Sequence, residues 1–188
     1  MDVIPYPHAR AKRPAKASPA SVFRPALFLW DAASDSKDAK AAIDKFVKLA
    51  GKGLKRIDRT HRDGRLGACL IAATTAEALA AGAAIADAAR KAKPSLRIIC
   101  DFGHLLGSDL EPDKKLVARL QSADDLPGLP LDCVLATEAF AAQAKFDLGE
   151  KILLVPVGRA EIAPAAEDGE RHAVRSRPSL PIYTAEWA

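Results

Sequence analysis

The chain has 188 residues, enough for one domain around one sizeable core, and 49% of them are apolar with alanine prominent and aromatics scarce, which predicts tight packing of small side chains. No run approaches the roughly 20 apolar residues of a membrane span, and the opening "MDVIPYPHARAKRPAKASPA" lacks the apolar segment of a secretory signal. The net charge of +4 belongs to residues 1–24, where Arg10, Lys12, Arg13, Lys16 and Arg24 stand against Asp2 alone; this end reads as a basic, disordered arm ahead of a charge-balanced domain over 25–188.

Residues 25–30, "PALFLW", form an apolar run that predicts a buried strand ending at Asp31. Ala39, Ile43, Phe46, Val47 and Ala50 then recur at helical spacing, with Ser34, Asp35 or Ser36 as cap and Gly51 or Gly53 as stop. "LKRID" predicts a second strand, Asp63-Gly64 a turn, and "LGACLIAA" a third strand. Thr74 to Glu77 has the spacing of a capping box and opens an alanine-rich helix that runs to about Ala92, before Pro94. "LRIIC" reads as a fourth strand, followed by a loop containing Gly103 and Gly107. Pro112 suits the first turn of a third helix, "EPDKKLVARLQSA". "DCVLA" is a fifth strand, and Thr137 caps a short fourth helix. "KILLVPV" and "LPIYTAEW" close the chain as strands on either side of a polar loop.

The first six elements, in the order βαββαβ, predict an α+β fold: a ferredoxin-like sandwich with helices on one face of the sheet, extended by a C-terminal helix and strands. Cys69, Cys100 and Cys133 lie in apolar strand-like segments without metal-ligand spacing, and read as reduced thiols of a cytoplasmic protein. The four histidines are scattered and form no metal set.

"THRDGRLGACL" contains the His-Arg-Asp of a kinase catalytic loop, but the magnesium-binding Asn due five residues after the Asp is Ala68 here, and no glycine-rich phosphate loop precedes it. Topology offers another role. A strand–helix–strand crossover makes the first two strands parallel, so Asp31 and Asp63 emerge at the same sheet edge, and the third strand lies beside the first. Two carboxylates there suit magnesium, with phosphate oxygens completing the shell. A helix-capping Asp and a plain turn Asp would explain the same positions, and spacing alone favours that plainer reading.

Several motifs, in order, resemble those of class III adenylyl/guanylyl cyclase domains over roughly residues 25–187. "ALFLWD" resembles the strand ending in a metal-binding Asp, and "RDGRLGACL" the Gly-Asp-Gly hairpin, with Arg62 for the first glycine. "LRIICDFGHLLG" resembles Leu-Arg-Ile-Gly-Ile-His-x-Gly, with Gly103 in register. "LVARLQS", "VLATEAF", "FDLGE" and "LPIYTAEW" resemble the later segments of that family. The resemblance implies that Asp31 and Asp63 bind Mg²⁺ or Mn²⁺, that Arg119 stabilises charge on the transferring phosphate, and that the substrate is ATP or another nucleoside triphosphate. It also implies a homodimer, or a heterodimer with a competent cyclase domain.

The departures are specific. Lys115 replaces the Asn that orients the ribose, although its spacing still places it on one helix face with Arg119. Arg59 replaces the base-selecting Lys, and the partner of that position falls near Ser108 or Asp109. Ser34 stands for a glycine near the triphosphate and Asp35 adds a negative charge; Arg159 is the nearest substitute for a late lysine. Losing one such donor costs on the order of 10²-fold in rate. The expectation is a cyclase-like domain with an eroded site that binds a nucleotide or partner. An active, atypical cyclase converting ATP to cAMP and pyrophosphate is the alternative. A ferredoxin-like nucleic-acid module ranks last, since the body is neutral and its strands carry few aromatics.

Overall fold

A computed structural model describes residues 21–31, 39–51, 53–60, 64–91, 95–161 and 179–188. Along the chain run β1 (Ser21–Asp31), α1 (Ala39–Leu49), β2 (Lys55–Thr60), β3 (Leu66–Ile71), α2 (Thr75–Ala89) and β4 (Leu96–Leu106). They are followed by β5 (Glu111–Pro112), α3 (Lys114–Asp124), β6 (Val134–Thr137), α4 (Glu138–Leu148), a 3₁₀ turn at Gly149–Lys151, β7 (Ile152–Glu161) and β8 (Ser179–Trp187). The sheet has the order β2-β3-β1-β4-β6-β8-β7, with β5 paired to β4. Its first four positions are those expected of a ferredoxin-like core, with β3 between β1 and β2.

Local signals in the sequence account for most element ends. Thr74 accepts the Glu77 N–H at 3.1 Å, while the Glu77 carboxylate turns back to the Ala73 N–H at 2.9 Å. The Thr137 hydroxyl caps α4 through the Phe140 N–H. Gly51, just beyond α1, has φ 93°, a conformation in which a side chain would be strained. The proposed caps at 34–36 and the stop at Pro94 lie outside the described residues, as do residues 1–20 and 162–178.

Three expectations need correction. Residues 21–24, read as the end of the arm, belong to β1, and β4 continues through Gly103 to Leu106 where a loop was expected. The two extensions explain each other: Ser21 to Pro25 pair in register with Leu106 to Phe102, so each supplies the other's ladder hydrogen bonds. Pro112 sits in β5, not in the third helix, and Asp113 is the residue that caps α3, accepting the Leu116 N–H at 2.7 Å. The helices α1 and α2 share one face of the sheet, as the ferredoxin-like core predicts, and the later α3 covers the other. Phe46 of α1, the alanines of α2, and Phe140 and Ala144 of α4 pack with Leu27, Leu29 and Ile98 on one side. Leu116, Leu120 and Ala123 of α3 pack with Phe28, Trp30, Ile99 and Leu135 on the other. The alternation of strand side chains feeds both layers.

Candidate active site

Gly67 on β3 is paired with Trp30 of β1 on one side and Arg59 of β2 on the other. One residue further, β1 ends at Asp31 and β2 ends at Thr60, so the end of β1 and the β2–β3 turn emerge at one sheet edge. Asp63 lies outside the described residues, and Asp31 is described in its backbone only, paired with Leu96. The described surroundings of that edge include two arginines on one acid. Arg65, two residues beyond Asp63, is ion-paired with the buried Asp124, and Arg97 Nε contacts the same carboxylate at 3.2 Å. Arg97 is paired with Trp30 in the β1–β4 ladder, so these two guanidinium groups stand at that edge and share the Asp124 carboxylate. Among the described residues, no group of three or more His, Cys, Asp or Glu could hold a metal ion.

Arg119 occupies a built seat. Its Nε–H donates at 3.0 Å to the carboxylate of Asp101, which is fully buried and also accepts the Thr137 hydroxyl at 2.5 Å and the Phe102 N–H at 2.7 Å. Burial pushes the Asp101 carboxyl above its ordinary value, and the Arg119 charge opposes that rise. Gly103 gives the guanidinium its room: a Cβ there would stand 2.9 Å from Arg119 Nη2 and 3.1 Å from Leu116. Sequence reasoning missed Asp101, although an acid inside the apolar run "LRIICDF" was a visible signal. Lys115, one turn earlier on α3, is exposed and has no ion pair among the described residues.

Asp31 and the Arg119 seat do not meet in one chain. Asp101 is paired with Ala26 and Asp31 with Leu96, so five residues of the β1–β4 ladder, about 16 Å along the strands, lie between them.

Arg59 is 2.5 Å from the Glu111 carboxylate, not from Ser108 or Asp109. Asp109 instead faces Lys55, its carboxylate 3.9 Å from Nζ and its carbonyl accepting an Nζ–H. Glu111 is therefore the acid beside the expected base-selecting position. Ser108 is exposed, and Arg159 on β7 donates to Ser179 at 3.3 Å, away from these groups.

Solved structures share this fold. An adenylate/guanylate cyclase/hydrolase from Silicibacter pomeroyi is 15% identical with a TM-score of 0.55, and a dimeric guanylyl cyclase domain of a fusion protein from the aquatic fungus Blastocladiella emersonii is 13% identical with a TM-score of 0.55; each match covers 89% of this chain and 98% of the other. This is the fold of class III cyclase catalytic domains. The catalytic core of a rhodopsin-guanylyl cyclase with converted specificity, in complex with ATPalphaS, is similar at 11% identity and a TM-score of 0.50 over the same shares. No protein-family model and no curated protein matches the chain. Among the described residues, no helix is long and apolar enough to cross a membrane.

Proposed function

We propose that this chain is a nucleotidyl cyclase-like domain with an eroded site, which binds a nucleoside triphosphate or a partner cyclase domain and does not turn over quickly alone. The observation that carries this reading is the state of its two key cations: Arg119 is tied to the buried Asp101, and Arg59 to Glu111. Phosphoryl chemistry of this kind rests on positioning and charge neutralisation, so guanidinium groups already neutralised within the chain contribute less. Asp31 and Asp63 are the proposed ligands of Mg²⁺ or Mn²⁺, which would neutralise phosphate charge and activate the attacking ribose oxygen. The separation of Asp31 from Arg119 supports a site completed by a second chain, either a copy of this one or a competent relative. Three cysteines without a disulfide fit a cytoplasmic setting.

The test is cyclic-nucleotide production from ATP and from GTP with Mg²⁺ and Mn²⁺, beside an Asp31→Ala/Asp63→Ala control. Absence of product from folded, dimeric protein, with a triphosphate still bound, supports the reading. Product that vanishes in the control overturns it in favour of an atypical adenylate cyclase. The presence of Asp31, Asp63 and Arg119 at the cyclase-like positions is what favours this second reading.

A further inference from the structure

In strand order β5 lies beyond β3, β1 and β4 from β2, yet the turn at 107–111 meets β2 at two points, Lys55–Asp109 and Arg59–Glu111. The ends of β1 and β4 must therefore coil over the α3 face of the sheet, carrying β5 to the opposite margin. Leu110 is the plug of this closure. It packs, with Ile57 of β2, against the cluster that contains Cys69 and Phe28. The backbone carries a cost for placing it there, since Leu110 has φ 52°, a left-handed conformation that a branched side chain adopts only under strain.

The ties that hold the closure are weak ones. The side chain of Asp109 is 87% exposed and that of Glu111 50%, so both ion pairs are open to screening. The closed position also leaves the buried Nε–H of Arg59 without an acceptor among the described residues. A strained plug, an unsatisfied donor and two screened ion pairs describe a closure poised near balance.

We propose that residues 107–111 form an autoinhibitory clasp, which when closed neutralises Arg59 with Glu111 and covers the β2–β3 face, and when open releases both. The inhibitory sense rests on the cyclase-like reading of Arg59; the opening itself does not. Anionic groups of a ligand compete with Asp109 and Glu111 for the same two cations.

Cys69 reports the clasp. It is buried on β3 beside Ile57, in the cluster that Leu110 covers, whereas Cys100 is buried on the other face under α2 and α4. In a Cys133→Ser background without nucleotide, labelling of each thiol by N-ethylmaleimide is followed by peptide mass spectrometry at about 0.02 M and about 0.5 M NaCl. Cys69 is expected to label about 10-fold faster at high salt, and equally fast at both salts in Asp109→Asn/Glu111→Gln, while Cys100 stays protected. Cys69 labelling indifferent to salt, or Cys69 and Cys100 rising together, overturns the clasp. If the double variant does not fold, amide exchange of residues 55–59 in the parent protein decides: faster exchange with salt supports opening, and unchanged exchange refutes it. Cyclase assays do not enter this outcome, so failure of the clasp and failure of the functional reading stay distinguishable.

Discussion

Asp101 has no solvent exposure, and the Nε–H of Arg119, eighteen residues later on α3, donates to it at 3.0 Å. A buried carboxylate that loses its cation is left uncompensated in a medium that solvates it poorly. Arg119→Ala is therefore expected to cost about 3 kcal/mol in urea unfolding, more than truncating a surface arginine. Lysine should recover only part of it, having no planar fork to lie over Gly103. A loss below about 0.5 kcal/mol would show that the pair does not anchor α3.

The same pair fixes a pH signature. Burial raises the Asp101 carboxyl in the folded state above its ordinary value of 3.8, with Arg119 opposing. A group raised on folding binds its proton more tightly when folded. Its favourable contribution is complete below the unfolded value and is lost as pH rises from 3.8 through the folded value. The stability of the parent protein minus that of Asp101→Asn, which does not titrate, should fall with rising pH across that window. A difference that instead rises with pH would mean that Arg119 outweighs burial and holds the carboxyl down.

Much of this fold was legible because its signals are local. Thr74, Thr137 and the apolar runs of β1, β3 and β4 mark elements through capping and periodicity alone. What was hidden is pairing. Ser21 to Arg24 look like the end of a basic arm, and Phe102 to Leu106 look like a glycine loop, until each is the other's strand. The location of α3 was hidden for a related reason: Ile98 and Ile99 of "LRIIC" point an apolar side chain to each face, so alternation does not reveal which face a helix covers. At the site, family-like spacing led to Arg119 and Arg59 but not to Asp101 or Glu111, because their partners come from contacts 18 and 52 residues apart in sequence.

Two glycines that look alike in sequence differ in what surrounds them. A Cβ at Gly67 would enter the space of the Trp30 ring and stand 2.6 Å from the Leu29 carbonyl oxygen, a backbone atom that cannot step aside. At Gly103 it meets the far end of a flexible arginine. Gly67→Ala should cost more than 3 kcal/mol or prevent folding, and Gly103→Ala about 1 kcal/mol with Arg119 displaced. Comparable losses in thermal melts of the two variants would contradict this ranking.

Asp124 joins the end of α3 to two places at the metal-proposed edge: Arg65, just past the β2–β3 turn, and Arg97 on β4, whose Nη1–H also donates to the Leu129 carbonyl at 2.8 Å. The Asp124 side chain is 1% exposed, and the two arginines 13% and 12%, so removing the acid takes a shared carboxylate away from two mostly desolvated cations. Asp124→Ala is expected to destabilise by about 3–5 kcal/mol, whereas Asp124→Asn keeps one acceptor and costs less. Because Arg65 tethers the turn, amide exchange at residues 64–67 should accelerate in Asp124→Asn ahead of exchange in α2, which the tether does not touch. Uniform acceleration of both would reduce Asp124 to a contributor to global stability and remove its role in holding that edge.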